Sequence, residues 1–238
     1  FFEYKIRVGY SKSELVDDVR DIQHPSVREC LKYKDVTGNL DIHIFADLPA
    51  KTGLGSSSAF TVGFLNALHA LEGKRVSKRD LSEQAHTIER DIIKEHVGCQ
   101  DQIHAAYGGL NVVEFGKDGF KVRPVVIKQE NKEYLEECML VFYTGITRFS
   151  TDVQKHLVDE TRKMNNDEFL QRMTDMVYEA ERIVSSNEKN DMLLKFGALL
   201  HEGWELKKRC SARASNETID DIYYIHQGVT QSKRCLSW

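Results

Sequence analysis

"DLPAKTGLGSSSAFTVG", residues 47–63, carries the chain from an alternating apolar stretch into an apolar helical one through glycines and three consecutive serines. The first turn of a helix leaves backbone N–H groups without partners, and the helix dipole puts partial positive charge there. Glycine lets the backbone approach an anion closely, and serine hydroxyls add donors or can ligand a metal ion. Two readings compete: a tight turn with a serine N-cap, or a bed for phosphate. The stretch is neither GxxxxGKS/T, since no lysine follows the second glycine, nor GxGxxG. Three serines in a row exceed what one cap requires, which favours the phosphate bed and leaves the turn as its rival.

The bulk numbers remove other classes. At 238 residues the chain can bury a substantial core, and 41% hydrophobic with 29% charged residues is an ordinary globular balance. A formal charge of −4 argues against a nucleic-acid surface, which carries a basic excess. No apolar run reaches membrane-spanning length and no basic-then-apolar leader opens the chain, so no membrane partner is expected. Five cysteines, at 30, 99, 138, 210 and 235, are scattered without a CxxC pair. Neither a disulfide framework nor a zinc site is indicated, and reduced thiols in a cytoplasmic protein are expected. The nine histidines show no HExxH or comparable spacing, which argues against a histidine metal site. The chain opens in strand alternation without a starter methionine and closes on the aperiodic "QSKRCLSW", so a fragment is expected.

Local patterns predict an α+β organisation. "FFEYKIRVGY" places Tyr4, Ile6 and Val8 on one strand face, and "LDIHIFADLP" alternates Leu40, Ile42, Ile44 and Ala46 before stopping at a proline. "SAFTVGFLNALHALEG" reads as a largely buried helix with Asn66, His69 and Gly73 on its polar side, ended by glycine. A second helix starts at Ser77, with Asp80 three residues on as in a capping box, and Leu81, Ala85, Ile88 and Ile92 form its inward stripe. "LNVVEF" and "FKVRPVVI" follow as strands. The polar run 128–137 is the expected boundary, giving domains 1–132 and 133–238. "CMLVFYTG" then reads as a buried strand, and the remainder as helices with stripes at Phe169, Met173, Met176, Ala180 and Ile183, and at Leu193, Phe196, Leu200 and Trp204.

Two carboxylates follow the glycine-serine loop. Glu89, in "HTIERD", falls at the edge of the buried stripe, where an unpaired carboxylate is expensive unless it meets a cation. The bland alternative is an edge glutamate paired with Arg90. Asp101, in "VGCQDQIHAAYGGLN", sits among small and amide residues ahead of an apolar segment, and read alone it is either a helix cap or a base.

"LPAKTGLGSSSAF" resembles the central motif of the GHMP kinases, PxxxGLGSSA in shape, through Pro49, Gly53, Leu54, Gly55, Ser56, Ser57 and Ala59. "IRVGYSKSE", "HPSVRECL", "YTGITRFS" and "LLHEGWELKK" extend the resemblance over nearly the whole chain, toward the branch acting on heptose 7-phosphate. The resemblance implies a two-domain fold, with a left-handed βαβ unit in the N-terminal domain and a ferredoxin-like C-terminal domain. It implies ATP held by Pro49, Lys51, Thr52, Gly53, Leu54, Gly55, Ser56, Ser57 and Ser58, and Mg2+ held by Ser57 and Glu89. Asp101 is implied as the catalytic group, with Gly145 and Arg148 at the substrate; a surface arginine after a strand is the bland reading of Arg148. The implied reaction moves the ATP γ-phosphate to the anomeric hydroxyl of a heptose 7-phosphate, on the way to nucleotide-activated heptose. A kinase for another sugar such as fucose, or a non-catalytic nucleotide-binding remnant, are the alternatives. Expected partners are a small sugar phosphate and, at most, further copies of the same chain. Cys99 stands where this branch has lysine, and the family's N-terminal and C-terminal glycine-rich segments are not in this sequence.

Overall fold

The computed structural model describes residues 4–47, 53–142, 166–186, 189–211, 214–233 and 236–237. The chain divides into two compact units, the first ending at Gly108 and the second beginning at Gly109.

The first unit is built on strand β1 (Ile6–Gly9). It pairs antiparallel with β2 (Ser13–Val16), Ile6 opposite Val16, and parallel with β3 (Leu40–His43), Ile6 opposite Leu40. The order β2-β1-β3 makes β1 central, which is why Ile6 and Val8 are wholly buried. Helix α1 (Pro25–Tyr33) connects the parallel pair; proline occupies its first turn, where no intrahelical N–H bond is lost, and the His24 ring accepts from the Val27 N–H at its N-cap. Glu14 ties β2 to this entry, accepting from the Tyr10 hydroxyl at 2.8 Å and the Gln23 and His24 N–H groups at 2.5 and 3.1 Å. Burial pushes the Glu14 carboxyl up, but these donors outweigh it and hold the group below its ordinary value.

Helix α2 (Ser56–Leu71) brings Val62, Leu65 and Leu68 onto the same core as Ile6, Val27 and Leu31. Fully burying one such side chain contributes about 1.5–3 kcal/mol. His69, expected on the polar side of α2, is buried instead: its ring meets the Gln84 side-chain oxygen at 2.8 Å and lies 3.4 Å from the Lys34 amine.

Helix α3 (Lys78–His86) starts as its sequence predicts, with Ser77 at the N-cap accepting from the Asp80 N–H at 3.0 Å. Beyond His86 the helix widens into a π-turn, Thr87–Ile92, in which the Ile93 N–H reaches Ile88 O rather than Glu89 O. Accommodating one more residue per turn sets the rotation back. Leu81, Ala85 and Ile88 stay inward as expected, but Ile92 comes out at 40% exposure and Ile93 packs on the core. Helix α4 (Gln100–Tyr107) closes the unit against α2 and α3, and the Lys78 amine bonds to Tyr107 O at 2.7 Å.

The second unit opens with the hairpin β4 (Asn111–Gly116) and β5 (Gly119–Pro124), Phe115 opposite Phe120. Arg123 on β5 grips Glu181 with both guanidinium arms, one contact at 2.7 Å. This hairpin therefore belongs with the later helices, and the division falls before it rather than at 132/133. The polar run expected as a boundary forms helix α5 (Gln129–Cys138), which buries Asn131 and Leu135 and exposes most of its charge. Leu135 packs with Val184, Met192 and Leu193. Helices α6 (Asp167–Val184) and α7 (Lys189–Cys210) join through Met176 with Phe169, Met173 and Ala180, on the stripe predicted for α6, and through Leu199 and Leu206 of α7, which the predicted stripe there does not include; Arg172 bridges them to Glu202 at 2.6 and 2.7 Å. Helix α8 (Glu217–Lys233) follows. The stretch expected as a buried strand forms only β6 (Met139–Leu140), parallel to β7 (Leu236–Ser237), while Val141 is exposed; its later residues lie outside those described. Among the described residues of this unit the strands form two pairs, β4 with β5 and β6 with β7. No helix of the described residues is long and apolar enough to cross a membrane.

The N-cap of α3 is a local feature with a local consequence. Ser77→Ala is expected to lower stability by about 1 kcal/mol, read as a shift of the denaturant midpoint without a change of slope.

Candidate active site

The glycine-serine loop meets α2 at Gly55, which adopts the left-handed conformation with φ +68°, as Gly53 does at φ +80°. Gly55 is the N-cap residue and contributes no side chain, so among the described residues α2 has no side-chain cap on its first-turn N–H groups. An uncapped helix start with exposed Ser56 and Ser57 beside it has the geometry that suits an anion.

Asp101 comes to this same place. A Cβ built on Gly55 would lie 3.2 Å from both Cγ and Oδ2 of Asp101, so the carboxylate rests against the glycine. Cys99 holds the N-cap position of α4 and Asp101 sits inside the first turn, so the cap reading of Asp101 does not describe it. The loop, the open helix start and a carboxylate thus share one corner.

Behind that corner lies Glu89. It is fully buried, against the expectation of an edge position, because the π-turn swings it inward as Ile92 swings out. Arg90 is exposed and lies 4.0 Å from Asp91, so it does not neutralise Glu89 as the bland reading would have it. Glu89 Oε2 accepts from the Ser58 hydroxyl at 2.7 Å and from the Gln102 amide; the same amide donates to Ser58 Oγ at 3.1 Å. Glu89 Oε1 and Gln102 Oε1 are buried with no partner among the described residues. The charge is felt nearby. Burial, with the charges of Glu89 and Glu29, pushes the Cys30 thiol up to about 12, and burial with Glu89 also raises the Glu95 carboxyl.

The structure therefore brings together Gly55, Ser58, Glu89 and Asp101 of the sequence-predicted residues, and Gly53 lies two residues before Gly55 in the loop. Ser57 is exposed, and the serine that meets Glu89 is its neighbour Ser58. Leu54 is exposed in the loop. Pro49, Lys51, Thr52, Gly145 and Arg148 lie outside the described residues. Sequence reasoning missed Gln102. Its signal was position: adjacent helical residues point about 100° apart, so beside an Asp101 facing the loop, Gln102 faces inward.

A magnesium ion fits this donor set. Mg2+ is ordinarily held by one or two carboxylates and completes its shell with water and substrate phosphates rather than an all-protein cage. A buried carboxylate oxygen without a partner, next to serine hydroxyls and an open helix start, is that kind of half-site. No cluster of three or more histidine, cysteine or acidic side chains offers a full cage among the described residues. Two concavities of about 600 Å3, one polar around His69 and Arg75 and one apolar between α6 and α7, include none of these groups, so the chemistry and not the depth marks the site.

Residues 24–109 match the family described as the GHMP kinases N terminal domain. The chain is 29% identical, over 94% of its own length and 65% of the relative's, to a D-glycero-alpha-D-manno-heptose 7-phosphate kinase of Campylobacter jejuni. It is 24% identical, over 88% of itself and 22% of the relative, to an L-fucokinase/L-fucose-1-P guanylyltransferase of Bacteroides fragilis. Among solved structures, a D-glycero-D-manno-heptose 1-phosphate kinase from Bacteroides thetaiotaomicron superposes with a TM-score of 0.65 at 21% identity, covering 88% of this chain and 65% of that one. The chain thus spans just under two thirds of the Campylobacter relative.

The buried charge gives a first test. An unsatisfied buried oxygen costs about 1–3 kcal/mol, so Glu89→Gln is expected to melt at the same or a higher temperature than the parent in EDTA. A clear loss of stability in calorimetry would mean that Glu89 Oε1, too, has a structural partner.

Proposed function

We propose that the chain is the catalytic core of an ATP-dependent sugar kinase that phosphorylates the anomeric hydroxyl of a heptose 7-phosphate, supplying nucleotide-activated heptose synthesis. One observation carries the reading: a carboxylate, Asp101, resting on the left-handed glycine that opens the uncapped helix α2. Phosphoryl transfer asks little covalent chemistry of a protein; it asks for phosphate positioning, charge neutralisation and a group that orients or deprotonates the attacking hydroxyl.

The residues divide that work. The loop from Pro49 to Ser58 wraps the phosphates, with backbone N–H groups at the start of α2 and the hydroxyls of Ser56 and Ser57 as donors. Glu89, with Ser57, holds Mg2+; a bound magnesium neutralises charge on the phosphate oxygens. Asp101 accepts the proton of the sugar hydroxyl or fixes its direction toward the phosphate. Gly145 and Arg148 serve the sugar's own phosphate, for which a guanidinium is suited by its two-armed geometry. The heptose assignment is supported by a relative that acts on a heptose phosphate aligning over 94% of the chain. The L-fucokinase relative, aligned over 88%, keeps fucose in any substrate screen.

The tests separate binding from chemistry. Gly55→Val puts a branched side chain at φ +68° and against Asp101, and calorimetry should show ATP binding abolished in a variant whose circular dichroism is native. Asp101→Asn is expected to bind ATP normally and to lower turnover on heptose 7-phosphate by about 10²–10⁴-fold. Turnover at the parental rate would remove Asp101 from the chemistry.

A further inference from the structure

We propose that Gln102 is a positioning residue for magnesium: its amide fixes the Glu89 carboxylate so that one oxygen is consumed inside the protein and the other is left for the cation. The inference deepens the reading of Glu89 as a metal ligand and rests on it.

Gln102 is wholly buried, a rare place for an amide that leaves its own Oε1 without a partner among the described residues. Its Nε2 donates to Glu89 Oε2 and reaches Ser58 Oγ at 3.1 Å, while the Ser58 hydroxyl donates to that same Glu89 oxygen at 2.7 Å. All three side chains come from different elements: Ser58 from the first turn of α2, Glu89 from the π-turn and Gln102 from α4. Both donors converge on Oε2 and neither reaches Oε1. A carboxylate free to rotate would present either oxygen; one held at Oε2 by two donors presents only Oε1. Gln102 also adjoins Asp101, so the helix start that places Asp101 at Gly55 also sets the direction of the metal ligand. A merely structural glutamine would matter to stability and to every ligand alike. A positioning glutamine matters only to the part of nucleotide binding that depends on the cation.

The experiment compares the 238-residue chain with Gln102→Met, which keeps length and removes the donor, and with Ser58→Ala, which removes the second donor from another helix. ATP affinity is measured by calorimetry in EDTA and again with excess magnesium, and the ratio of the two is the readout. Outer partners of metal ligands ordinarily contribute about 10–100-fold to metal affinity. Gln102→Met is expected to cut the magnesium-dependent gain by about tenfold or more while leaving affinity in EDTA within about twofold, and Ser58→Ala to reduce the gain in the same direction. A magnesium gain that survives in the parent, in Gln102→Met and in Ser58→Ala overturns the role of Gln102 and leaves Glu89 as a ligand. No magnesium gain in the parent overturns both. If Gln102→Met does not fold, the Ser58→Ala arm decides: an unchanged gain there defeats the claim that the donors on Oε2 set the ligand.

Discussion

The buried carboxylate of Glu89 is the constraint around which the first unit is arranged. A carboxylate without exposure, and without a cation beside it among the described residues, is tolerable only when donors are brought to it. Two are, from Ser58 and Gln102, and each requires a particular backbone: the first turn of α2 directly after the left-handed Gly55, and the first turn of α4. The π-turn is the third requirement, because an uninterrupted helix would keep Ile92 inside and Glu89 at the rim. Wide turns of this kind recur at functional sites for this reason: they change which side chain faces inward without ending the helix.

The same arrangement accounts for the economy of the candidate site. Helix α2 delivers its apolar face to the core through Val62, Leu65 and Leu68 and its open end to the loop, so one element anchors the fold and orients the first-turn N–H groups. Helix α4 carries two neighbouring polar residues with opposite duties, Asp101 at the glycine and Gln102 in the interior. A rigid core directly beneath the loop holds these groups in register, which is what positioning without covalent catalysis demands.

Much of this was legible in the sequence where the signal is local. The capping pair Ser77 and Asp80, the alternation around Ile6, Val8 and Leu40, and the stripes of α6 depend on neighbours a few residues away, and they fold as the pattern says. The loop and the two carboxylates stood out in the sequence, and the structure sets Asp101 against Gly55 of that loop. What was hidden depends on distant partners. Ile92 and Glu89 exchange places because of a hydrogen-bond shift that no periodicity announces. The burial of His69 needs Gln84 and Lys34 from other elements. The run 128–137 looked like a boundary because its charge outnumbers its apolar residues, yet Leu135, with Tyr134 and Cys138 beside it, gives α5 a face to bury.

Cys30 offers a different use of the same packing. Its sulfur is sealed in the core and its thiol is held up to about 12, so in the folded state it has almost no nucleophilic thiolate. Any reaction with a disulfide reagent must wait for the core around α1 and the Glu89 turn to open. The rate of that labelling is therefore a built-in clock for the opening of the first unit. Cys99, partly exposed at the start of α4, reports by contrast on the surface of the same corner. Two native thiols thus separate motion of the core from motion at its edge, with no cysteine introduced.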